Sequence, residues 1–131
     1  MRIGEMAKAA DISEYTLRYY ERKGLIRVKR DNAGRRCYEE SDIEWIKFIK
    51  RLKDTGMLLK DIREYSRLRY EGNTTMPERL QMLEKHREYV LDQQRKWAEY
   101  LDNLNDKIAF YRHSIDELDK MKKTIDSNGT S

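Results

Sequence analysis

The longest regular pattern in the chain lies in its second half. Of positions 80, 83, 87, 90, 94, 97, 101, 104, 108, 111, 115, 118, 122 and 125, eleven of fourteen are apolar, at strict three–four spacing. This heptad stripe runs for about seven heptads, well past the three or four that identify a coiled coil. It predicts a helix from Pro77 onward; about 48 helical residues would run ~72 Å. Each Leu or Ile on the stripe gains roughly 1.5–3 kcal/mol only when something covers it. The remainder of the chain is too small for that. The stripe therefore predicts a partner helix, most simply that of a second copy, over Leu80, Leu83, Val90, Trp97, Leu101, Leu104, Ile108, Tyr111, Ile115 and Leu118. Arg87, Gln94 and Lys122 interrupt it, as polar residues that fix register at a cost in stability. Trp97, Tyr100 and Tyr111 read as core or flank of such a coil in preference to the walls of a small-molecule pocket.

The first half alternates shorter patterns. Residues 3–10, IGEMAKAA, are good helix formers. Ser13 is a natural N-cap for a second helix from Glu14 to about Lys23, which Gly24 closes. Two short helices with a tight connection form a helix-turn-helix pattern whose second helix is the candidate reader. LIRVKR (25–30) then alternates with period two, DNAG (31–34) is a turn cluster, and RRCY (35–38) can return as a second strand. This hairpin is a wing carrying Arg27, Lys29, Arg30, Arg35 and Arg36. Ser41 and Glu44 have the spacing of a capping box for a third helix ended by Gly56, with Ile43, Trp45, Ile46, Phe48, Ile49 and Leu52 as core. A fourth helix is expected over about Leu59–Tyr70, with Leu59, Ile62, Tyr65 and Leu68 inward. Residues 71–77 read as a linker and 127–131 as a flexible tail. The fold expected is mainly α: a winged helix-turn-helix domain over 1–72, then a long coiled-coil dimerisation helix over 73–126.

Charge separates the two halves. Residues 1–70 carry 18 Lys and Arg against 12 Asp and Glu, and residues 71–131 carry 10 against 12. The basic excess lies with the candidate reader and permits an acidic polymer as partner. Within TLRYYERKGLI (16–26), Arg18, Tyr19, Tyr20 and Arg22 crowd one helix where a core would want aliphatic residues. Guanidinium groups suit phosphate or guanine edges, and phenols suit phosphate and sugar. The competing reading gives the tyrosines to packing and the arginine to a surface ion pair.

The run IGEMAKAADISEYTLRYYERKGLI, followed by GRRCYEESDIEWIKFIKRLKDTGMLLKDI, resembles the MerR family of bacterial transcription regulators over roughly residues 2–70. The long helix is similar to that family's dimerisation helix, which pairs antiparallel in a homodimer. The resemblance implies DNA contacts from Thr16, Arg18, Tyr19 and Tyr20 of the reader, Arg36 and Tyr38 of the wing, and Lys60. It also implies a palindromic promoter with an overlong spacer that the dimer distorts for RNA polymerase. The stimulus would be an unidentified stress signal or small molecule. The form expected is a short one, without a separate effector domain.

Candidate chemistry beyond DNA binding is thin. Cys37 is the single cysteine, so no intramolecular disulfide is available and a reducing bacterial cytoplasm is the simplest setting. Its basic neighbours suggest a redox sensor, but a small packed hydrophobe is the favoured reading. The aldehyde-responsive branch, to which the surrounding residues are similar, carries a cysteine in the run leading to TGM; here that run is FIKRLKDTGM. Metal-responsive members use cysteines around the long helix that this sequence lacks. His86 and His113 read as ordinary surface histidines, so neither metal nor cofactor is expected. No apolar run approaches the ~18 residues of a membrane span. No nucleophile triad, phosphate loop or paired carboxylate points to an enzyme. The alternative to a regulator is a coiled-coil protein whose basic head binds DNA non-specifically, as an architectural factor.

Overall fold

The computed structural model describes residues 1–128. In chain order it contains α1 (Ile3–Ala10), α2 (Glu14–Arg22), β1 (Lys29–Arg30), β2 (Arg36–Cys37), α3 (Asp42–Asp54), α4 (Leu59–Glu71), a 3-10 turn (Asn73–Thr75) and α5 (Met76–Asn128). It forms two compact units, one over Met1–Arg87 and a second from Glu88 onward. The first unit runs past the boundary expected at residue 72 because Met82 and Leu83, in the early turns of α5, pack against its core.

Glycine and aspartate stop the short helices in the same way. Gly24 has φ +75°, and its N–H and that of Leu25 donate to Glu21 O (3.1 Å) and Tyr20 O (2.9 Å). Gly56 closes α3 with equivalent bonds to Lys53 O and Leu52 O. These are Schellman caps, which satisfy carbonyls the helix leaves open. Asp11 takes the same role after α1 at φ 55°, a conformation that Asp tolerates better than most side chains.

α1 packs on α2 and α3, and α3 packs on α4. Met6, Leu17, Tyr20, Leu25, Ile46, Ile49 and Ile62 are buried at the centre. Trp45 stacks on Tyr65 with ring centroids 5.7 Å apart, and the Arg69 guanidinium lies over Trp45 at 4.5 Å. Burial along α3 follows the expected face, with Ile43 and Phe48 only half-buried at its margin.

Several local expectations are corrected. The Ser41–Glu44 capping box does not form, because Ser41 is itself in a helical conformation and its side chain makes no cap bond. The N–H groups of Asp42 and Ile43 donate instead to Glu39 O and Glu40 O, and Asp42 Oδ2 accepts from Glu39 N–H. The wing strands are two residues each, paired Lys29↔Cys37 and Arg30↔Arg36. Leu25 and Ile26 leave the strand pattern because they are drawn into the core. The stretch 71–77 is not a linker: Glu71 ends α4, a 3-10 turn follows, and Met76 and Pro77 open α5. Ser127 and Asn128, expected in the tail, belong to α5, and residues 129–131 of that tail lie outside the described residues.

His86 is more than a surface histidine. Its Nε2 lies 2.8 Å from Thr55 Oγ1, which also lies 2.8 Å from Arg51 O. This contact fastens the α3 C-cap to the start of α5.

In the second unit the heptad face is uncovered. Trp97, Leu101, Leu104, Tyr111, Ile115 and Leu118 are all more than half exposed. Among the described residues no helix is long and apolar enough to cross a membrane.

Candidate nucleic-acid interface

The reader helix starts at a true N-cap. Ser13 Oγ accepts from Thr16 N–H at 3.0 Å, and the Ser13 and Thr16 hydroxyls lie 2.8 Å apart. Thr16 is thus committed in part to holding the helix start. Leu17 and Tyr20 then point inward, 0% and 1% exposed. The opposite face carries Tyr15, Arg18, Tyr19 and Arg22 at i, i+3, i+4 and i+7, one stripe of a helix.

Tyr15, 72% exposed, lies on this face although the sequence drew out only Thr16, Arg18, Tyr19, Tyr20 and Arg22 from this helix. Its i, i+3 and i+7 spacing with Arg18 and Arg22 is the sequence signal that places it there. Tyr19 is half-buried under cations, with Lys53 4.7 Å, Arg22 5.7 Å and Lys23 5.9 Å from its ring centroid. Arg18 is exposed and makes no hydrogen bond or ion pair among the described residues; the same holds for Lys60 in the first turn of α4.

The wing is bound to the reader through one carboxylate. Glu21 Oε1 accepts from Arg36 Nε at 3.0 Å and from Arg30 Nη2 at 3.1 Å. The wing turn is organised by Asp31, whose Oδ1 accepts from the N–H groups of Ala33 (2.9 Å) and Arg35 (3.0 Å). Arg2 adds a pair to Asp31 Oδ2 at 2.8 Å. The Arg35 N–H bond and the Arg2 contact hold the Asp31 carboxyl down at about 2. At the open edge, Lys29 and Glu39 pair at 2.5 Å; the bond raises the amine's pKa and lowers the carboxyl's.

Two expected contact residues lie in the core. Tyr20 is 1% exposed; burial, then Asp54, pushes its hydroxyl pKa up. Tyr38 is 3% exposed because the chain turns inward after β2, where Met1 and Tyr38 exchange backbone bonds of 2.6 and 2.7 Å. Burial raises the Tyr38 hydroxyl pKa as well, and Glu21 adds to it against the pull of Arg36, Arg30 and Arg18. That hydroxyl is buried without a hydrogen-bond partner among the described residues. Cys37 is exposed, a correction to the packed hydrophobe expected, because the two-residue strand turns its side chain to the rim of a cavity of about 290 Å³ beside Arg27, Lys29, Glu39 and Tyr70. Among the described residues no group of three or more His, Cys, Asp or Glu is placed to hold a metal ion.

The arrangement is a basic helix face with a basic wing locked beside it, suited to a duplex backbone and its groove edges. Comparison with known proteins agrees. A model described as the MerR helix-turn-helix family regulatory protein matches residues 1–68, and a second, described as MerR, DNA binding, matches residues 43–106. An uncharacterised HTH-type transcriptional regulator of Haemophilus influenzae is 41% identical over 110 residues, covering 81% of this chain and 82% of its own. A crystal structure of a putative MerR family regulator from Listeria monocytogenes superposes with a TM-score of 0.88 at 31% identity, covering 94% of this chain and 95% of the other. HiNmlR, a MerR family regulator lacking the sensor domain, was solved bound to promoter DNA; it superposes at 0.75 with 38% identity, covering 85% and 89%. With the geometry of the reader and wing, these matches establish that the chain belongs to the MerR family and is a DNA-binding regulator of transcription, not an enzyme.

Proposed function

We propose that this regulator acts as a homodimer in the bacterial cytoplasm, placing two reader-and-wing surfaces on the halves of a palindromic promoter. In this reading α5 pairs antiparallel with its counterpart, and the dimer distorts the promoter spacer for RNA polymerase in response to an unidentified stress signal or small molecule. Thr16, Arg18, Tyr19, Arg36 and Lys60 contact DNA, joined by Tyr15 and Arg22. Tyr20 and Tyr38 support that surface from the core.

The observation that carries the reading is the heptad face of α5. Trp97, Leu101, Leu104, Tyr111, Ile115 and Leu118 stand exposed at coiled-coil spacing. A partner helix that covers them gains roughly 1.5–3 kcal/mol for each fully buried large side chain. A chain with one reader and an uncovered seam is half of a two-fold reader.

The test is stoichiometry. Sedimentation equilibrium of the free protein, and of the protein titrated onto a fluorescent promoter duplex, should give a dimer and two chains per duplex. A monomer, or ordered binding of one chain per duplex, rejects the reading. Saturation rising in proportion to DNA length, with near-equal affinity for any duplex and a steep salt slope, would favour the architectural alternative.

A further inference from the structure

The segment Lys23–Arg27 joins the reader helix to the wing and has no helix or strand of its own. Its backbone is nevertheless held at every second residue by α4. Arg63 Nε donates to the Lys23 carbonyl at 2.8 Å. Ser66 Oγ donates to the Leu25 carbonyl at 2.7 Å. The Tyr70 hydroxyl accepts from Arg27 N–H at 3.1 Å. The three side chains stand at i, i+3 and i+7, the spacing that aligns them on one helix face.

The neighbourhood makes these bonds specific to place. Ser66 is 1% exposed and its bond to the Leu25 carbonyl is buried, so nothing in solvent replaces it. The Tyr70 ring lies within 4.7 Å of the Arg27 guanidinium and 5.3 Å of that of Arg69. A Cβ at Gly24 would meet the Arg63 side chain at 3.8 Å, so Arg63 lies directly against the reader's C-terminal cap.

We propose that Arg63, Ser66 and Tyr70 are positioning residues for DNA recognition: together they hold residues 23–27 so that reader and wing meet the duplex at one fixed angle. The proposal rests on the reader and wing being the DNA interface. A pre-set angle spares the complex the cost of ordering the wing on binding. Sequence-specific binding needs both elements in register at once. Non-specific binding to phosphate tolerates scatter between them, so losing the hold weakens the first more than the second.

The full chain is tested as Tyr70→Phe, which removes one oxygen and keeps the ring, as Arg63→Ala and Arg63→Lys, and as Arg67→Ala. Arg67 lies on the same helix, but its ion pairs go to Glu64 and Glu71. Affinity is measured for a duplex selected from random DNA by the wild-type chain and for a scrambled duplex of equal length. Amide exchange at residues 25–30 is measured beside it. Tyr70→Phe and Arg63→Ala should lower the selected-to-scrambled ratio about three- to tenfold with faster exchange at 25–30 and little change in Tm. Arg63→Lys should recover part of the ratio and Arg67→Ala should match the wild type. Unchanged exchange and ratio in Tyr70→Phe and Arg63→Ala, or equal losses on both duplexes, would overturn the positioning role alone. A wild-type chain that selects no sequence would overturn the interface reading beneath it.

Discussion

Arg36 of the wing donates to Glu21 of the reader helix at 3.0 Å, the same carboxylate that receives Arg30 at 3.1 Å. One acid thus sets the wing against the helix and neutralises part of two guanidinium charges before any DNA arrives. In the proposed DNA contact, phosphates would have to compete with Glu21 for Arg36. Stray phosphates would have to do so too, which would favour a site where the whole surface fits.

Glu21→Gln should therefore raise affinity for random duplex DNA and steepen its salt dependence, because two cations are released from their partner. Affinity for the operator should rise less, so the ratio of specific to non-specific binding should fall. Stability should drop by about 1 kcal/mol or less, as expected for partly exposed pairs. Salt-dependent titrations on both duplexes measure it.

Arg18→Ala should lower operator affinity about five- to 150-fold, the ~1–3 kcal/mol typical of one good bidentate base contact. Arg18 is exposed and has no hydrogen bond or ion pair among the described residues to lose, so the oligomeric state and Tm should stay as they are. Band-shift titration beside sedimentation reads both; a lost dimer would contradict the assignment.

Leu101→Asp and Leu104→Asp place charge on the uncovered face of α5, where each leucine is more than half exposed in the single chain. Each should yield a folded monomer with weak DNA binding, since an unpaired buried charge costs several kcal/mol at a seam. Circular dichroism should keep the helix signal of the first unit.

Gly24→Ala should cost about 1–2 kcal/mol, the usual penalty for an L side chain in the left-handed region. The Cβ itself has room, with its nearest neighbours at 3.8 Å, so the loss is conformational and not steric. Denaturant unfolding of the variant against wild type measures it.

Acidification should undo the wing turn late. The Asp31 carboxyl is lowered from 3.8 to about 2 by its bonds to Arg35 N–H and Arg2, so the charged form is favoured in the folded state. Its contribution is complete above about pH 4 and fades as the pH falls through about 2. The amide resonances of Ala33 and Arg35 should titrate together in that window and stay fixed between pH 5 and 8. In Asp31→Asn that titration should vanish.

The second helix, the hairpin, the core helices and the long helix with its heptad face were legible because each rests on a local rule: Ser13 at a cap, Gly24 and Gly56 after a helix, apolar residues at 3.6 or 3.5 spacing. Part of what escaped depends on contacts distant in sequence. Leu25, Ile26 and Tyr38 read as strand residues until the α3–α4 core claims them. Ser41 fits a capping box by sequence, yet Glu39 and Glu40 supply the carbonyls that start α3. Tyr19 and Tyr20 are alike by sequence, and only the helix phase decides that the second packs inside. Tyr15 was recoverable from that same phase. Glu21 gave no local sign of joining the wing, since its partners lie 9 and 15 residues away.

The most direct test of the central claim is nuclease footprinting on the DNA upstream of the protein's own gene and its neighbours. A dimer reading a palindrome and distorting its spacer predicts one bounded, two-fold symmetric footprint with a hypersensitive centre. Cys37→Ser would be the first control when inducers are then sought. Diffuse protection without boundaries, on every fragment tried, would contradict the account and leave non-specific architectural binding in its place.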